Sequence, residues 1–316
     1  MTSEKHRFSF TGKFGEVLLL IFKNTLFTIF TLGLYIPYAR TNMRKYIWKS
    51  TKLEGHPFLF HADPRNLLKG YLLLGAIALV SFALVGIGGA MFPKLAPVFT
   101  LIPGLMIFAF ALRARYAGYA YLVNNTSYRS IRFQAKKDAV WDFMGASLKG
   151  SFLTVFTLGF YAPYLAANLT RIKWSNTSYG NVPFVFKMKN GEFAFQVFKN
   201  IFFCFITLGI YAPWALANLN KFKMKHLFFK GAQVESTVTG GGLIWLSVKS
   251  TFFLIFSLGL AAPYIMNMNL AYHLDHLVIK GAIDFEGIVQ AAASQGGDHS
   301  FSDSIADALD LDVDVA

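Results

Sequence analysis

Four lysines are the sharpest chemical feature of this 316-residue chain. Lys23, Lys149, Lys199 and Lys249 each sit inside an apolar stretch, eight residues ahead of Thr31, Thr157, Thr207 or Ser257. Leu-Gly follows each hydroxyl residue, which places Gly33, Gly159, Gly209 and Gly259. Pro37, Pro163, Pro213 and Pro263 come six residues after the hydroxyl, and an aromatic follows each proline. Ionisable groups in apolar segments are functional-site candidates by default. The chemistry they offer is a ring of cations for an anionic solute or a lipid headgroup. The plainer reading is snorkelling, with the stem in hydrocarbon and the ammonium at the interface. The tip motif is turn chemistry first, although broken helices of this kind also build transporter substrate sites. Tyr35, Tyr161 and Tyr211 recur at the tips, while Ala261 breaks the pattern.

Other chemistries find little support. His56 with His61 and His273 with His276 lack zinc-enzyme spacing, so no metal is expected. Cys204 is the single cysteine, which excludes a disulfide or a cysteine metal site within one chain. No nucleophile elbow, phosphate loop or metalloprotease motif is present, and neither an enzyme nor a cofactor is expected. The net charge of +13 could suit nucleic acid. Here the Lys and Arg flank apolar runs, so the positive-inside rule explains them better and nucleic acid is not expected.

The elements that position these residues are repeats. KNTLFTIFTLGLYIPYA (23–39), KGSFLTVFTLGFYAPYL (149–165), KNIFFCFITLGIYAPWA (199–215) and KSTFFLIFSLGLAAPYI (249–265) align without gaps, at spacings of 126, 50 and 50. An acid precedes the lysine by seven residues in three copies (Glu16, Asp142, Glu192), with Gly242 in the fourth. Lys45, Arg171 and Lys221 lie fourteen residues after the Thr, with Ala271 in the fourth copy. A polar stretch with an Asn/Gly/Thr turn follows each copy (46–60, 172–186, 226–238), and 121–133 and 276–287 resemble it. Each reads as a short β-hairpin. Residues 70–92 and 95–112 form a separate, longer apolar pair.

Composition points to a membrane. The chain is 54% hydrophobic and 15% charged, with mean hydropathy +0.44, against roughly 25% charged residues in a soluble domain. Leu-Gly-x-x-x-Pro reads as helix, tight turn, helix, since Gly suits a C-cap and Pro a first turn. One crossing per unit would put successive basic ends on opposite faces, so each unit is expected to cross an even number of times or to re-enter. The leg from Glu16 to Thr31 would be ~24 Å long, short of the ~30 Å hydrocarbon core.

The segments F-x-F-T-G (Phe8 to Gly12), TLGLYIPYA (31–39), TKLEGHPFLFHADP (51–64), NNTSYRSIRF (124–133) and TLGIYAPWA (207–215) resemble the YjgN-like family of bacterial inner-membrane proteins. The resemblance spans roughly residues 8–287. It implies an inner-membrane location and no particular mechanism. The family often has Trp after the motif proline; only Trp214 fits, and Tyr38, Tyr164 and Tyr264 substitute.

The resulting expectation is an all-α polytopic membrane protein of helix–turn–helix hairpins, spanning or re-entrant, with short cytoplasmic β-hairpin-like connectors and a cytoplasmic N-terminus. Residues 1–289 form the membrane domain, in units of about 8–66, 67–135, 136–188, 189–239 and 240–289. Residues 290–316, which carry six Asp from Asp298 on and no Lys or Arg, read as an acidic disordered tail. The functional expectation is a transporter or channel for a small anionic solute; the alternative is a non-catalytic lipid-binding or membrane-organising scaffold of the cytoplasmic leaflet. Anionic membrane lipids, and a second copy of the chain, are the expected partners.

Overall fold

The computed structural model describes residues 4–285 and 287–290; the expected acidic tail lies outside them apart from its first residue. The first unit holds β1 (Lys5–Phe10), α1 (Phe14–Phe30), α2 (Ile36–Ser50), β2 (Thr51–Leu53) and β3 (His56–Phe60). The second holds α3 (Pro64–Met91), α4 (Ala96–Asn124), β4 (Thr126–Tyr128) and β5 (Ile131–Ala135). The third holds α5 (Ala139–Phe156), α6 (Ala162–Ser175), β6 (Thr177–Tyr179) and β7 (Val182–Phe186). The fourth holds α7 (Asn190–Ile206), α8 (Ala212–Lys225), β8 (Leu227–Phe229) and β9 (Ala232–Ser236), and the fifth holds α9 (Gly240–Phe256), α10 (Ala262–Asp275) and β10 (Leu277–Lys280).

The all-α expectation is wrong. The strands join edge to edge into a closed antiparallel barrel, in the order β1-β10-β9-β8-β7-β6-β5-β4-β3-β2. A hairpin of strands this short leaves both edges with unpaired backbone groups, a liability that closure removes. The polar connectors are therefore the organising element of the molecule. Four are two-stranded hairpins with two-residue turns, as in Leu53 opposite His56 and Phe229 opposite Ala232. Left-handed backbone at Glu54 and Gly55, at Arg129 and Ser130, and at Lys230 and Gly231 supplies the twist such turns need. Neighbouring units then pair across their outer strands, for example Phe58 with Tyr128 and Phe184 with Phe229.

The expected fifth hairpin, 276–287, does not form. β10 takes its second partner from the other end of the chain, pairing Lys5 with Lys280, His6 with Ile279 and Arg7 with Val278. The N-terminal segment thus completes the fifth unit and is part of the barrel wall. Aromatic side chains pack the barrel: Phe133 lies 4.8 Å from Tyr179, Phe184 4.9 Å from Phe229 and Phe58 5.0 Å from Tyr128, ring centre to ring centre. Leu53, Phe186, Leu227 and Val234 fill the rest of that cluster.

The helices form a ring on one end of the barrel. Each packs on its neighbours in sequence, and α1 packs on α10 to close the circle. The motif turns separate α1 from α2, α5 from α6, α7 from α8 and α9 from α10, with proline in the first turn of each second helix. The multi-pass topology is also corrected. Among the described residues, only α3 and α4 have the length and apolarity to cross a bilayer. The legs of the four repeats have 14 to 18 residues, and all run back to the barrel.

Candidate functional site

The four motif lysines sit on four separate helices. Lys23, Lys149, Lys199 and Lys249 are exposed on α1, α5, α7 and α9, the outward legs of four separate units. The next residue in each copy turns inward instead: Asn24, Gly150 and Asn200 are buried and Ser250 is half-buried. Asn24 donates to the Ala39 carbonyl at 3.3 Å and accepts from Asn42 at 3.4 Å, tying the two legs together. Lys249 lies over the Trp245 ring at 5.0 Å, a cation–π contact.

The tip residues make turns. Thr31, Thr157, Thr207 and Ser257 each donate to the carbonyl four residues back and accept from the amide four residues on. Gly33, Gly159, Gly209 and Gly259 have φ between 88° and 94°, and the leucine before each is also left-handed. Pro37, Pro163 and Pro263 are buried and Pro213 is half-buried. The leucines themselves face outward: Leu32, Leu158, Leu208 and Leu258 are 94, 90, 92 and 94% exposed.

The histidines are held separately. His61 Nε2 and Ser127 Oγ lie 2.7 Å apart, and His276 Nδ1 donates to the Tyr272 carbonyl at 2.7 Å. Among the described residues, no group of three or more His, Cys, Asp or Glu could hold a metal ion.

A different set of cations does converge. Arg115 on α4, Lys173 on α6 and Lys223 on α8 line one cavity of about 120 Å³ where the helix ring meets the barrel. Its floor is apolar, including Phe143, Leu169, Phe186 and Leu227, all buried. Among the described residues, no carboxylate lines it. Lys173 Nζ lies 5.4 Å from the Tyr119 ring centre and 5.9 Å from that of Phe143. Burial pushes the Tyr119 phenol well above its ordinary value, so the ring backs the ammonium as a neutral group. Its hydroxyl meets Thr177 Oγ1 at 2.5 Å, which fixes the ring. Thr170 also lines the cavity, with its hydroxyl donated to the Ala166 carbonyl at 2.8 Å.

The spacing of the repeats holds a signal for this cleft. Lys173 and Lys223 lie ten residues after Pro163 and Pro213, where the other copies have Ile47 and His273. The lysine-to-proline pattern draws attention to the outer legs, while the cleft is built by the inner legs. Arg115 lies in the unit without the motif, so no alignment of motif copies reaches it.

A family profile described as "Bacterial protein of unknown function (DUF898)" matches residues 5–198 and 216–308. The chain belongs to this family. The matched residues include all three cleft cations and every barrel strand, whereas Lys199, Thr207, Gly209 and Pro213 fall in the unmatched interval. Family membership agrees with the YjgN-like resemblance in the motifs. One relative, "Inner membrane protein YjgN" from Salmonella typhimurium, is 33% identical over 110 residues, covering 33% of this chain and 28% of the relative. A protein of the same name from Escherichia coli O157:H7 is 26% identical over 167 residues, covering 53% and 37%. The chain therefore spans well under half the length of the curated relatives it matches. No solved structure matches it.

These findings overturn both functional expectations. The transporter or channel expectation rested on an all-α bundle of crossing hairpins; the structure is instead a closed barrel carrying a helix ring, with two helices of crossing length among the described residues. The barrel, which could have offered a bore, is packed with aromatic rings. The alternative, a leaflet scaffold made of helical wedges with polar connectors, fails because the connectors are the barrel. The expected multi-pass inner-membrane topology is corrected as well: among the described residues, two helices rather than ten have crossing length and apolarity.

Proposed function

We propose that this chain is a non-catalytic binding protein that holds a phosphate-type oxyanion in the cleft between α4, α6 and α8. The observation that carries this is the convergence of Arg115, Lys173 and Lys223, from three different units, on one cavity without a carboxylate among its lining residues. Positive groups from three units lining one small cavity attract a multivalent anion. A guanidinium can grip phosphate through two parallel hydrogen bonds, while the ammoniums act as point charges. Among the described residues the lining offers no nucleophile beside a base, which supports binding rather than turnover.

The exposed leucine tips are a second surface, and for them we propose bilayer lipid. Support comes from the tip exposure and from the name "Inner membrane protein" carried by the relatives. A second copy of the chain is the competing cover.

One experiment with two arms tests both readings. Titration calorimetry with inorganic phosphate is run beside flotation with vesicles of phosphatidylcholine, plain or doped with phosphatidic acid. Lys173→Ala or Lys223→Ala is expected to weaken anion binding by about tenfold or more, ~1.4 kcal/mol. Binding of free phosphate identifies a soluble anion; binding only to acid-doped vesicles, lost in the same variants, identifies a headgroup. If neither occurs, the cleft is not an anion site. Flotation with plain vesicles, unchanged in the variants, supports lipid at the tips. No flotation, with mass rising with concentration in light scattering, replaces lipid with a second copy.

A further inference from the structure

The strands have a second end, away from the helices, formed by the hairpin turns. After β10 the chain crosses that end. Gly281 donates to the Glu4 carbonyl at 3.0 Å, and the Gly281 carbonyl lies 3.0 Å from His6 Nε2. Ile283 and Ile288 are buried in the same cluster as the barrel aromatics. Phe285 lies edge-on to His6 at 5.6 Å and to Tyr128 at 5.8 Å, with the Arg129 guanidinium 5.0 Å from its ring centre. Lys230, in the β8–β9 turn, donates to the Asp284 carbonyl at 2.8 Å and pairs with its carboxylate at 3.5 Å.

Farther along, the segment binds through its backbone. Asn181, in the β6–β7 turn, donates its amide to the Val289 carbonyl at 3.1 Å, and its side-chain oxygen accepts the Val289 amide at 3.4 Å. Gln290 Oε1 accepts from the Arg132 amide at 2.7 Å. Gly180 permits the approach: a Cβ there would lie 2.4 Å from the Val289 carbonyl oxygen.

This is how a short linear peptide is bound. There is an aromatic anchor on a cation and rings, one ion pair, two buried aliphatics, and a backbone exchange with a turn. The segment adds no strand to the barrel, which is already closed. We propose that the turn end of the barrel is a peptide-binding mouth and that residues 283–285 and 287–290 belong to a tethered ligand filling it. The partner it fits is an extended peptide with a carboxylate beside an aromatic, flanked by branched aliphatics; the tether keeps such peptides out until it is displaced. The cleft lies at the opposite end of the strands, so this proposal does not rest on the anion reading.

The test uses the full chain and a labelled peptide, AIDFEGIVQ, copied from residues 282–290. Fluorescence anisotropy compares wild type with the variant Asp284→Lys/Phe285→Ala, whose tether has lost both side-chain anchors. The variant is expected to bind the peptide at least about tenfold more tightly than wild type, and adding Lys230→Glu to abolish that binding. Equal binding to both proteins, or none to a variant that melts like wild type, overturns the proposal. Hydrogen exchange on wild type covers the case in which the variant does not fold. The Asn181 and Arg132 amides, which donate to the tether, should exchange faster than that of Ile279 in the wall. Exchange of all three together would show the segment to be part of the barrel, and the proposal would fall.

Discussion

Thr157 shows what the repeated hydroxyl is for. Its Oγ1 donates to the Leu153 carbonyl at 2.7 Å and accepts from the Tyr161 amide at 2.9 Å, so one oxygen joins the last turn of one helix to the first turn of the next. Ser257 does the same with Phe253 and Ala261, at 2.6 and 2.9 Å. A hydroxyl is needed and a particular ring at the next position is not, which accounts for Ser in place of Thr and for Ala261 in place of Tyr. Thr157→Val keeps the shape and removes both bonds. It should lower stability by about 1 kcal/mol, read as a drop in the urea midpoint, while Thr157→Ser stays within about 0.5 kcal/mol. An equal loss in both variants would assign the effect to packing.

At the level of elements, the departures of the fourth copy have physical causes. Gly242 stands where the other copies carry an acid because the Tyr272 hydroxyl occupies the space: a Cβ there would lie 1.9 Å from it. Thr239 serves that helix start instead, accepting the Gly242 amide at 3.1 Å. The element on which the barrel depends most is β10, bonded to β9 on one side and to β1, from the far end of the chain, on the other. Val278 faces Arg7 in one ladder and Glu235 in the other. Val278→Pro removes an amide that no edge position would excuse. Near-UV circular dichroism should show loss of the fixed aromatic environment, with Val278→Thr as the tolerated control. An unchanged spectrum in the proline variant would mean that the seal does not hold the barrel shut.

For the whole molecule, the titrating groups bound the range of greatest stability. Burial first, then the charges of Arg132 and Lys45, lower His61 below 6.5; burial and then His276 do the same for His273. The unfolded chain therefore binds more protons than the native one as pH falls through 6.5, and stability declines toward acid. Burial raises Tyr128 and pushes Tyr179 up to about 12 from 10.0. The native state keeps those protons while the unfolded chain releases them above pH 10.0, so stability declines again as pH rises from 10 toward 12. Denaturant midpoints should be greatest between about pH 7 and 10. Tyr179→Phe should flatten the alkaline limb; a limb left as steep would remove Tyr179 as its source.

The sequence alone determined the local pieces. Leu-Gly-x-x-x-Pro specifies a helical turn because left-handed backbone and a fixed proline φ are demands of single residues. Asn/Gly/Thr clusters placed four hairpins for the same reason, and family membership was legible in five ordered motifs. Only the tertiary structure decided how the pieces join. Strand edges recognise one another through backbone groups that every residue carries, so no side-chain pattern announces that ten short strands will close, or that the first will pair with the last. The site was hidden by the same logic. Lys173 and Lys223 share a repeat position that the pattern could show, but Arg115 comes from a helix outside the motif and meets them only because the barrel arranges three units around one cavity. The motif lysines, conspicuous in the sequence, are exposed, and the buried positions are those beside them, Asn24, Gly150 and Asn200.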